Sequence, residues 1–284
     1  MRDTSRLMEG KQILITGATS GIGEAAARAL AKMGGSLLLV GRHSDRCQAS
    51  VDRIRRESGN PRIDFLLADL SSQKEVRRLA EEYRRRYPRL EVLINNAGGI
   101  FLKREVSADG IEMTFALNHL AYFLLTNLLL DLLKSSAPSR IVNVSSAAHM
   151  GSRLDLQNPG AHGWSGYCQS KLANLLFTYE LARRLKGTGV TVNALHPGLV
   201  ASNFGSNNRG IYRLIKPLIN CLSISNERGA RTSVYLASSP EVERSSGKYF
   251  VREKEERSSP ASYDLEAASR LWRLSLQMTG LMGG

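Results

Sequence analysis

The feature that most constrains the fold is the alternation of short apolar runs with longer helical patterns. The runs that predict strands are Ile13–Ile15, Ser36–Val40, Ile63–Leu67, Glu91–Ile94, Arg140–Val144, Val190–Leu195 and Lys248–Val251. The helical patterns between them are Gly21–Met33, Asp45–Glu57, Gln73–Tyr87, Ile111–Lys134 and Trp164–Lys186. Continuously apolar strands indicate burial on both faces, as in a parallel sheet. The order predicts an α/β, doubly wound parallel sheet of about seven strands with helices on both faces.

A glycine-rich turn follows the first predicted strand and opens the first predicted helix. Glycines let the backbone turn tightly and approach a pyrophosphate, and the helix N-terminus supplies free N–H donors and a favourable dipole. A plain turn with helix-capping residues is the alternative, but the position in a βαβ series favours a Rossmann dinucleotide site. The residues expected to contact the dinucleotide are Gly17, Thr19, Ser20, Gly21, Ile22 and Gly23.

Arg42 indicates which dinucleotide is preferred. It follows the second predicted strand, where NAD-selective folds carry a carboxylate for the ribose 2′-hydroxyl. A guanidinium suits a 2′-phosphate because its planar fork pairs with phosphate oxygens. A surface arginine at a strand end is the alternative interpretation. The sequence favours NADP(H) over NAD(H).

Tyr167 and Lys171 form the candidate catalytic pair. They stand four residues apart in a predicted helix and therefore share one face. A tyrosine hydroxyl has a reference pKa of about 10 and is a poor proton shuttle at neutral pH. Because an adjacent ammonium favours the phenolate, we expect Lys171, helped by the positive charge of an oxidised nicotinamide, to lower the pKa of Tyr167. The YxxxK spacing also occurs by chance on solvated helix faces, so its meaning depends on the rest of the chain.

Several motifs, taken in chain order, resemble those of the short-chain dehydrogenase/reductase family. They are TGxxxGxG at residues 16–23, Asn95-Asn96-Ala97-Gly98, the YxxxK pair and His196-Pro197-Gly198. The stretches 167–174, 181–185 and 192–198 are similar to the retinol dehydrogenase branch of that family. The resemblance spans about residues 11–251, which is nearly the whole chain.

The resemblance implies roles for further residues. Ser146 would hydrogen-bond the substrate oxygen, and Asn118 would anchor a water that relays protons to Lys171. Asp69 and Leu70 would meet the adenine ring, although a helix N-cap is an equally good interpretation of Asp69. The other implied cofactor contacts are Asn96, Ala97, Gly98, Tyr167, Lys171, Pro197, Gly198 and Val200.

Charge and cysteine content bear on other functional classes. The formal net charge is +13, but the arginines are scattered over amphipathic segments and only 6% of residues are aromatic, so nucleic-acid binding is not expected. The three cysteines show no CxxC spacing, so we predict neither a disulfide framework nor a metal site. The N-terminus is polar, and no apolar run is long enough for a bilayer. We expect a cytoplasmic protein without a transmembrane segment.

The chain is expected to form one NADP-binding Rossmann catalytic domain over residues 8–252. Within it, clusters of Gly, Asn and Ser predict an irregular loop. The resemblance implies that this region, at about residues 199–228, forms a substrate flap. Residues 253–284 are predicted to form a C-terminal appendage with a short helix near Leu265–Met278. The family resemblance implies a homodimer or homotetramer.

These features together predict an NADP(H)-dependent oxidoreductase, a carbonyl reductase or alcohol dehydrogenase similar to retinol dehydrogenases. Its substrate would be a small hydrophobic aldehyde or ketone, or the corresponding alcohol. A non-catalytic NADP(H)-binding sensor or scaffold is the alternative, but a sensor needs none of the set Asn118, Ser146, Tyr167 and Lys171. An epimerase or dehydratase shares YxxxK, and the TGxxxGxG spacing disfavours it.

Overall fold

The computed structural model describes residues 6–157, 159, 161–198 and 224–281, and one sheet runs through this part of the chain. Its strands are β1 (Gln12–Thr16), β2 (Ser36–Gly41), β3 (Ile63–Leu67), β4 (Val92–Asn95), β5 (Ser139–Val144), β6 (Val190–His196), β7 (Lys248–Val251) and β8 (Lys254–Glu256). The spatial order is β3-β2-β1-β4-β5-β6-β7-β8. Strands β1 to β7 pair in parallel, which confirms the predicted doubly wound Rossmann sheet, and β8 pairs antiparallel with β7.

The direction of the strand order reverses between β1 and β4. The chain moves outward from β1 through β2 to β3, returns to β4 on the other side of β1, and then continues outward to β7. At such a switch point the loops after neighbouring strands diverge, and a crevice opens at the carboxyl ends of the strands. The glycine-rich turn leaves β1 at this crevice, and the segment 95–98 leaves β4 there.

Helices cover both faces of the sheet. They are α1 (Gly21–Lys32), α2 (Ser44–Ser58), α3 (Gln73–Arg86), α4 (Met113–Phe115), α5 (Ala121–Leu128), α6 (Leu130–Ser135), α7 (Gly163–Arg184), α8 (Asn226–Ser238) and α9 (Leu265–Met278). Ile13 and Ile15 of β1 enter a core with α1, α2 and α8, whereas Leu14 enters a second core with α3, α5, α7 and α9. Burial on both faces therefore explains the continuously apolar strands. Among the residues described, none of the helices combines the length and apolarity that a bilayer crossing requires.

The structure differs from the predicted elements at three places. The helix predicted over Ile111–Lys134 is divided, because a π-helical turn over Ala116–Leu120 joins α4 to α5, and α6 follows separately. Strand β8 was not predicted, since Lys254–Glu256 is polar and exposed, and it forms where Arg252 and Glu253 turn the chain with positive φ.

The third difference is α8, which the sequence did not predict. The predicted flap extended to residue 228, but residues 226–228 already belong to this helix. Ser225 is the N-cap of the helix, and its side chain accepts a hydrogen bond from the Arg228 amide. The polar residues there are the first turn of an amphipathic helix whose Ala230 packs against Ala25 and Ala26 of α1. The rest of the predicted flap, with Val200, lies outside the described residues.

Candidate active site

A buried threonine joins β1 to β4 at the crevice. The Thr16 Oγ1 atom accepts hydrogen bonds from the amides of Asn96 (2.9 Å) and Ala97 (3.0 Å) and lies 3.3 Å from the Ile94 carbonyl, to which it donates. The Asn96 side chain donates in return to the Thr16 carbonyl at 2.9 Å. The loops after the two strands are thus fixed to each other.

The glycine-rich turn packs too tightly for side chains at two of its positions. Gly17 has φ +66°, and a Cβ placed there would lie 2.8 Å from the Cα atom of Ala97. A Cβ on Gly23 would lie 2.4 Å from both the Asn96 Nδ2 atom and the Gly17 carbonyl oxygen. Gly21 also has positive φ, at +58°. The turn therefore has the close backbone approach that the glycine spacing predicts.

The N-terminus of α1 retains free donors for an anion. Its N-cap, Ser20, has an extended backbone, and its side chain makes no capping hydrogen bond within the described chain. The first amides of a helix have no intrahelical partner, so a phosphate group is a suitable acceptor for those of Gly21 and Ile22. The Ile22 side chain is half-buried against the cluster of Ala25, Ala26 and Ala230, which holds this end of the helix in place.

Arg42 lies beside this turn. The amides of Gly17 and Ala18 donate to the carbonyl of Val40 at 3.0 and 3.4 Å, and a Cβ on Gly41 would lie 2.7 Å from the Thr19 methyl group. The residue after Gly41 is therefore next to the glycine-rich turn. The Arg42 side chain is exposed and makes no ion pair with the residues that the structure describes.

Asp69 does not cap α3. The cap is Ser72, whose Oγ accepts the Glu75 amide, so the helix-cap interpretation of Asp69 is wrong. The Asp69 carboxylate instead accepts hydrogen bonds from the Ser71 amide (3.0 Å) and hydroxyl (2.7 Å), which fixes the loop after β3. Leu70 is buried in the core on the α3 side. Both residues follow β3 at the carboxyl edge of the sheet, and their contact with adenine stays a prediction.

The segment after β4 connects the sheet to the predicted catalytic residues. Asn95 is fully buried and donates to Thr126 Oγ1 at 3.0 Å and Asn143 Oδ1 at 2.8 Å, so it links β4 to α5 and β5. Three residues later, a Cβ on Gly98 would lie 3.1 Å from Asn118 Oδ1 and 3.6 Å from Lys171 Nζ. The backbone at Gly98 therefore lies next to two of the predicted catalytic residues, Asn118 and Lys171.

Tyr167, Lys171 and Ser146 come together at the end of β5. The hydroxyls of Tyr167 and Ser146 share a hydrogen bond, and the Lys171 Nζ atom lies 5.7 Å from the centre of the Tyr167 ring. Lys171 is 3% exposed and donates to the Val144 carbonyl at 3.0 Å. Tyr167 is 7% exposed, whereas Ser146 is half-buried. One turn of α7 thus holds a phenol and an amine at the crevice, beside the Ser146 hydroxyl from the loop after β5.

Asn118 lies in the π-helical turn and is fully buried. Its Oδ1 atom accepts the Gly99 amide at 2.9 Å, and its Nδ2 atom donates to the Gly99 carbonyl at 2.9 Å and to Ser170 Oγ at 3.0 Å. The side chain therefore ties the loop after β4 to α7, which explains an asparagine in a helical segment. The role of Asn118 in a proton relay stays a prediction.

Pro197 and Gly198 follow β6 at the same edge of the sheet. Gly198 has φ +90°, and a Cβ there would lie 2.8 Å from Ile224 Cδ1, so a side chain at this position would be strained. The nicotinamide contact predicted for these two residues stays a prediction, and Val200 is outside the described residues.

Comparison with known proteins identifies the family of the chain. The family model described as short chain dehydrogenase matches residues 11–210. The chain belongs to this family. Retinol dehydrogenase 14 of Homo sapiens is 46% identical to it over 297 residues, which cover 97% of this chain and 88% of that protein. The chain is thus an oxidoreductase of the short-chain dehydrogenase family, similar to retinol dehydrogenases.

Two solved structures share the fold. An uncharacterized protein from Mycobacterium paratuberculosis matches with a TM-score of 0.79 and 31% identity, covering 98% of this chain and 96% of that chain. The RhlG/NADP active-site complex of Pseudomonas aeruginosa matches with a TM-score of 0.71 and 26% identity, covering 88% of this chain and 97% of that chain.

Burial favours the neutral forms of both Tyr167 and Lys171. Burial raises the pKa of Tyr167 to about 12, although the hydrogen bond with Ser146 acts in the opposite direction. Burial also lowers the pKa of Lys171 to about 7. A phenolate and an ammonium would both lose hydration in this site, and this desolvation is the largest cause of both shifts. At neutral pH the phenol of Tyr167 carries its proton.

Three residues that support the site were not found from the sequence. They are Thr16, which joins β1 to β4, Ser145, which donates to the Lys171 carbonyl at 2.8 Å, and His149, whose ring contacts the Ser146 carbonyl. Thr16 directly precedes the glycine-rich turn, so its place in that motif was an available signal. The pattern around Ser145 and His149 offers no comparable signal.

Replacing Lys171 with Met should stabilise the fold at acidic to neutral pH. The folded-state pKa of Lys171 is about 7 and its ordinary value is 10.5, so between these values the unfolded chain binds a proton that the folded chain does not. Wild-type stability therefore rises with pH across this window, and below pH 7 the fold carries a buried charge. At pH 6, we expect the free energy of unfolding of K171M to be about 1–3 kcal/mol larger than that of the wild-type protein.

Denaturant unfolding at pH 6 and at pH 9.5 measures this difference. The advantage of K171M should shrink at the higher pH, where the wild-type amine is largely neutral in the folded state. Equal differences at both pH values would contradict the low pKa assigned to Lys171.

Proposed function

We propose that the protein is an NADP(H)-dependent oxidoreductase that reduces hydrophobic aldehydes or ketones and oxidises the corresponding alcohols in reverse. The observation that carries the proposal is the buried Tyr167 phenol, hydrogen-bonded to Ser146 at the crevice that the glycine-rich turn borders. A crevice at the switch point of a doubly wound sheet is where such folds bind nucleotides.

The residues around the glycine-rich turn fit a dinucleotide. Side chains at Gly17 and Gly23 would collide with the neighbouring backbone, and the free amides at the start of α1 suit a pyrophosphate. Arg42 supplies an exposed guanidinium beside the turn, which suits a 2′-phosphate. The Pseudomonas aeruginosa relative is a complex with NADP, which agrees with this choice of cofactor. When bound, the nicotinamide would supply the hydride for reduction or accept it in oxidation.

The chain's own residues would handle the proton. Tyr167 holds a proton at neutral pH and would donate it to the substrate oxygen as negative charge develops there. Ser146 would hold that oxygen by a hydrogen bond. Lys171 would bind the ribose hydroxyls next to the nicotinamide and bias the phenol, and Asn118 would organise the water that restores the proton. The reduction as a whole adds one hydride to the carbonyl carbon and one proton to the carbonyl oxygen.

The surroundings of Tyr167 support a hydrophobic substrate. The indole of Trp164 lies 5.6 Å from the Tyr167 ring, between ring centres, and 61% of its surface is exposed. Leu102 and Met150 on the loops after β4 and β5 are also exposed apolar side chains. Exposed apolar groups at a site mark contact with an apolar ligand. The name of the human relative, a retinol dehydrogenase, points to the same class of alcohol.

We propose one catalytic domain over residues 8–252 with a C-terminal appendage, a cytoplasmic location, and a homodimer or homotetramer. Light scattering of the purified protein measures the oligomeric state directly.

Replacing Tyr167 with Phe should abolish turnover and spare cofactor binding. Loss of a positioned general acid typically costs about 10²- to 10⁴-fold in kcat. NADPH consumption with a panel of aldehydes and ketones measures turnover, and fluorescence titration measures NADPH affinity, which should stay within about threefold because no phosphate contact changes. The control is Y235F, which removes a tyrosine hydroxyl on α8 that is bonded to Glu241. Retained turnover in Y167F would refute the proposed role.

Replacing Arg42 with Ala should weaken NADPH selectively. The loss of a charge-assisted hydrogen bond to phosphate costs about 1.5–3 kcal/mol, so the KM for NADPH should rise about 10- to 100-fold while the KM for NADH stays nearly constant. The matched control is R46A, which removes an exposed arginine four residues along in α2. A similar rise for both cofactors, or the same rise in R46A, would contradict the assignment of the 2′-phosphate to Arg42.

A further inference from the structure

His149 is a buried histidine that the mechanism above does not use. It ends the 3₁₀ turn Ala147–His149 after β5 and is fully inaccessible to solvent. Its Nδ1 atom lies 2.6 Å from the Ser146 carbonyl oxygen, and its Nε2 atom lies 3.1 Å from the amide nitrogen of Ser259. The ring also makes an edge contact with Tyr249 of β7, with ring centres 5.2 Å apart. Both ring nitrogens therefore have backbone partners.

These two partners fix the tautomer of the ring. A carbonyl oxygen only accepts, so Nδ1 must carry a proton, and an amide N–H only donates, so Nε2 must be free to accept. The ring is therefore neutral with its proton on Nδ1. Burial lowers the pKa of His149, although the Ser146 carbonyl acts in the opposite direction, and this agrees with a neutral ring.

We infer that His149 is a positioning residue that holds Ser146 in place for the reaction. The inference rests on the role of Ser146 in the proposed function. The Nδ1–H group fixes the Ser146 carbonyl, and the Ser146 Oγ atom accepts the Ala148 amide at 3.2 Å, so the orientation of the hydroxyl toward Tyr167 is set by a turn that His149 closes. On the other side of Ser146, Ser145 donates to the Lys171 carbonyl.

The same contact connects the C-terminal segment to the reacting groups. Ser259, which donates to His149, directly follows Ser258, whose hydroxyl lies 2.6 Å from the Tyr179 hydroxyl on α7. Tyr263 Oη accepts the Ser258 amide at 3.1 Å. The segment after β8 is thus bound to α7, the helix that carries Tyr167 and Lys171. Through Ser259, the same segment also contacts His149, which in turn binds the Ser146 carbonyl. The predicted C-terminal appendage therefore helps to position Ser146.

Two substitutions at His149 separate positioning from general packing. The amide nitrogen of asparagine stands as far from the backbone as Nδ1, so H149N keeps a donor for the Ser146 carbonyl and loses the acceptor for Ser259. Glutamine reaches as far as Nε2, so H149Q keeps a group near Ser259 and loses the donor to Ser146. Each variant loses one hydrogen bond, and we expect similar losses of unfolding free energy for the two.

Steady-state kinetics with NADPH and the best aldehyde of the panel, together with crystal structures of both variants, test the inference. We expect kcat of H149Q to fall about 10- to 100-fold with the KM for NADPH within twofold, and kcat of H149N to stay within about threefold of wild type. In the crystals, Ser146 Oγ should leave hydrogen-bond distance of the Tyr167 hydroxyl in H149Q and remain there in H149N.

Equal losses of kcat per folded molecule in both variants, or an unmoved Ser146 in H149Q, would overturn the inference. A wild-type protein that turns over no carbonyl compound would instead overturn the proposed function. The crystallographic comparison then still decides whether His149 positions Ser146.

Discussion

The hydrogen bonds of the Thr16 hydroxyl are the constraint on which the rest of the site depends. They join β1 to β4 at the point where the strand order reverses, and they fix the glycine-rich turn against the segment 95–98. The absence of a Cβ at Gly17 and Gly23 is required by this contact, since a side chain would enter the neighbouring backbone. The same segment leads to Gly98, next to Asn118 and Lys171. One buried polar contact thus places the candidate phosphate turn and the candidate catalytic residues along one crevice.

Burial sets the chemistry of the two titratable groups in that crevice. Desolvation disfavours charge on both Tyr167 and Lys171, which raises the pKa of the phenol to about 12 and lowers that of the amine to about 7. A phenol that is protonated at neutral pH is suited to donate a proton, as carbonyl reduction requires. In the opposite direction a phenolate is needed, and its population grows as pH rises.

Much of the fold could be predicted from the sequence because burial on both faces leaves a continuous apolar run for each parallel strand. The glycine-rich turn and the Tyr167–Lys171 spacing were also readable, since each is a local pattern with a direct geometric meaning. The π-helical turn at Asn118 was not, because it depends on hydrogen bonds to Gly99 and Ser170, which are distant in sequence. Helix α8 was missed since its polar first turn continues a polar loop. His149 was missed because its partner, Ser259, is 110 residues away.

The central claim is that the glycine-rich turn and the Tyr167 phenol belong to one nucleotide crevice. A crystal structure of the protein with NADP⁺ tests it most directly. We expect the pyrophosphate at the amides of Gly21 and Ile22, and the nicotinamide ring in van der Waals contact with the Tyr167 side chain. A nucleotide bound at the turn with its nicotinamide ring away from Tyr167, or bound elsewhere on the protein, would contradict the account.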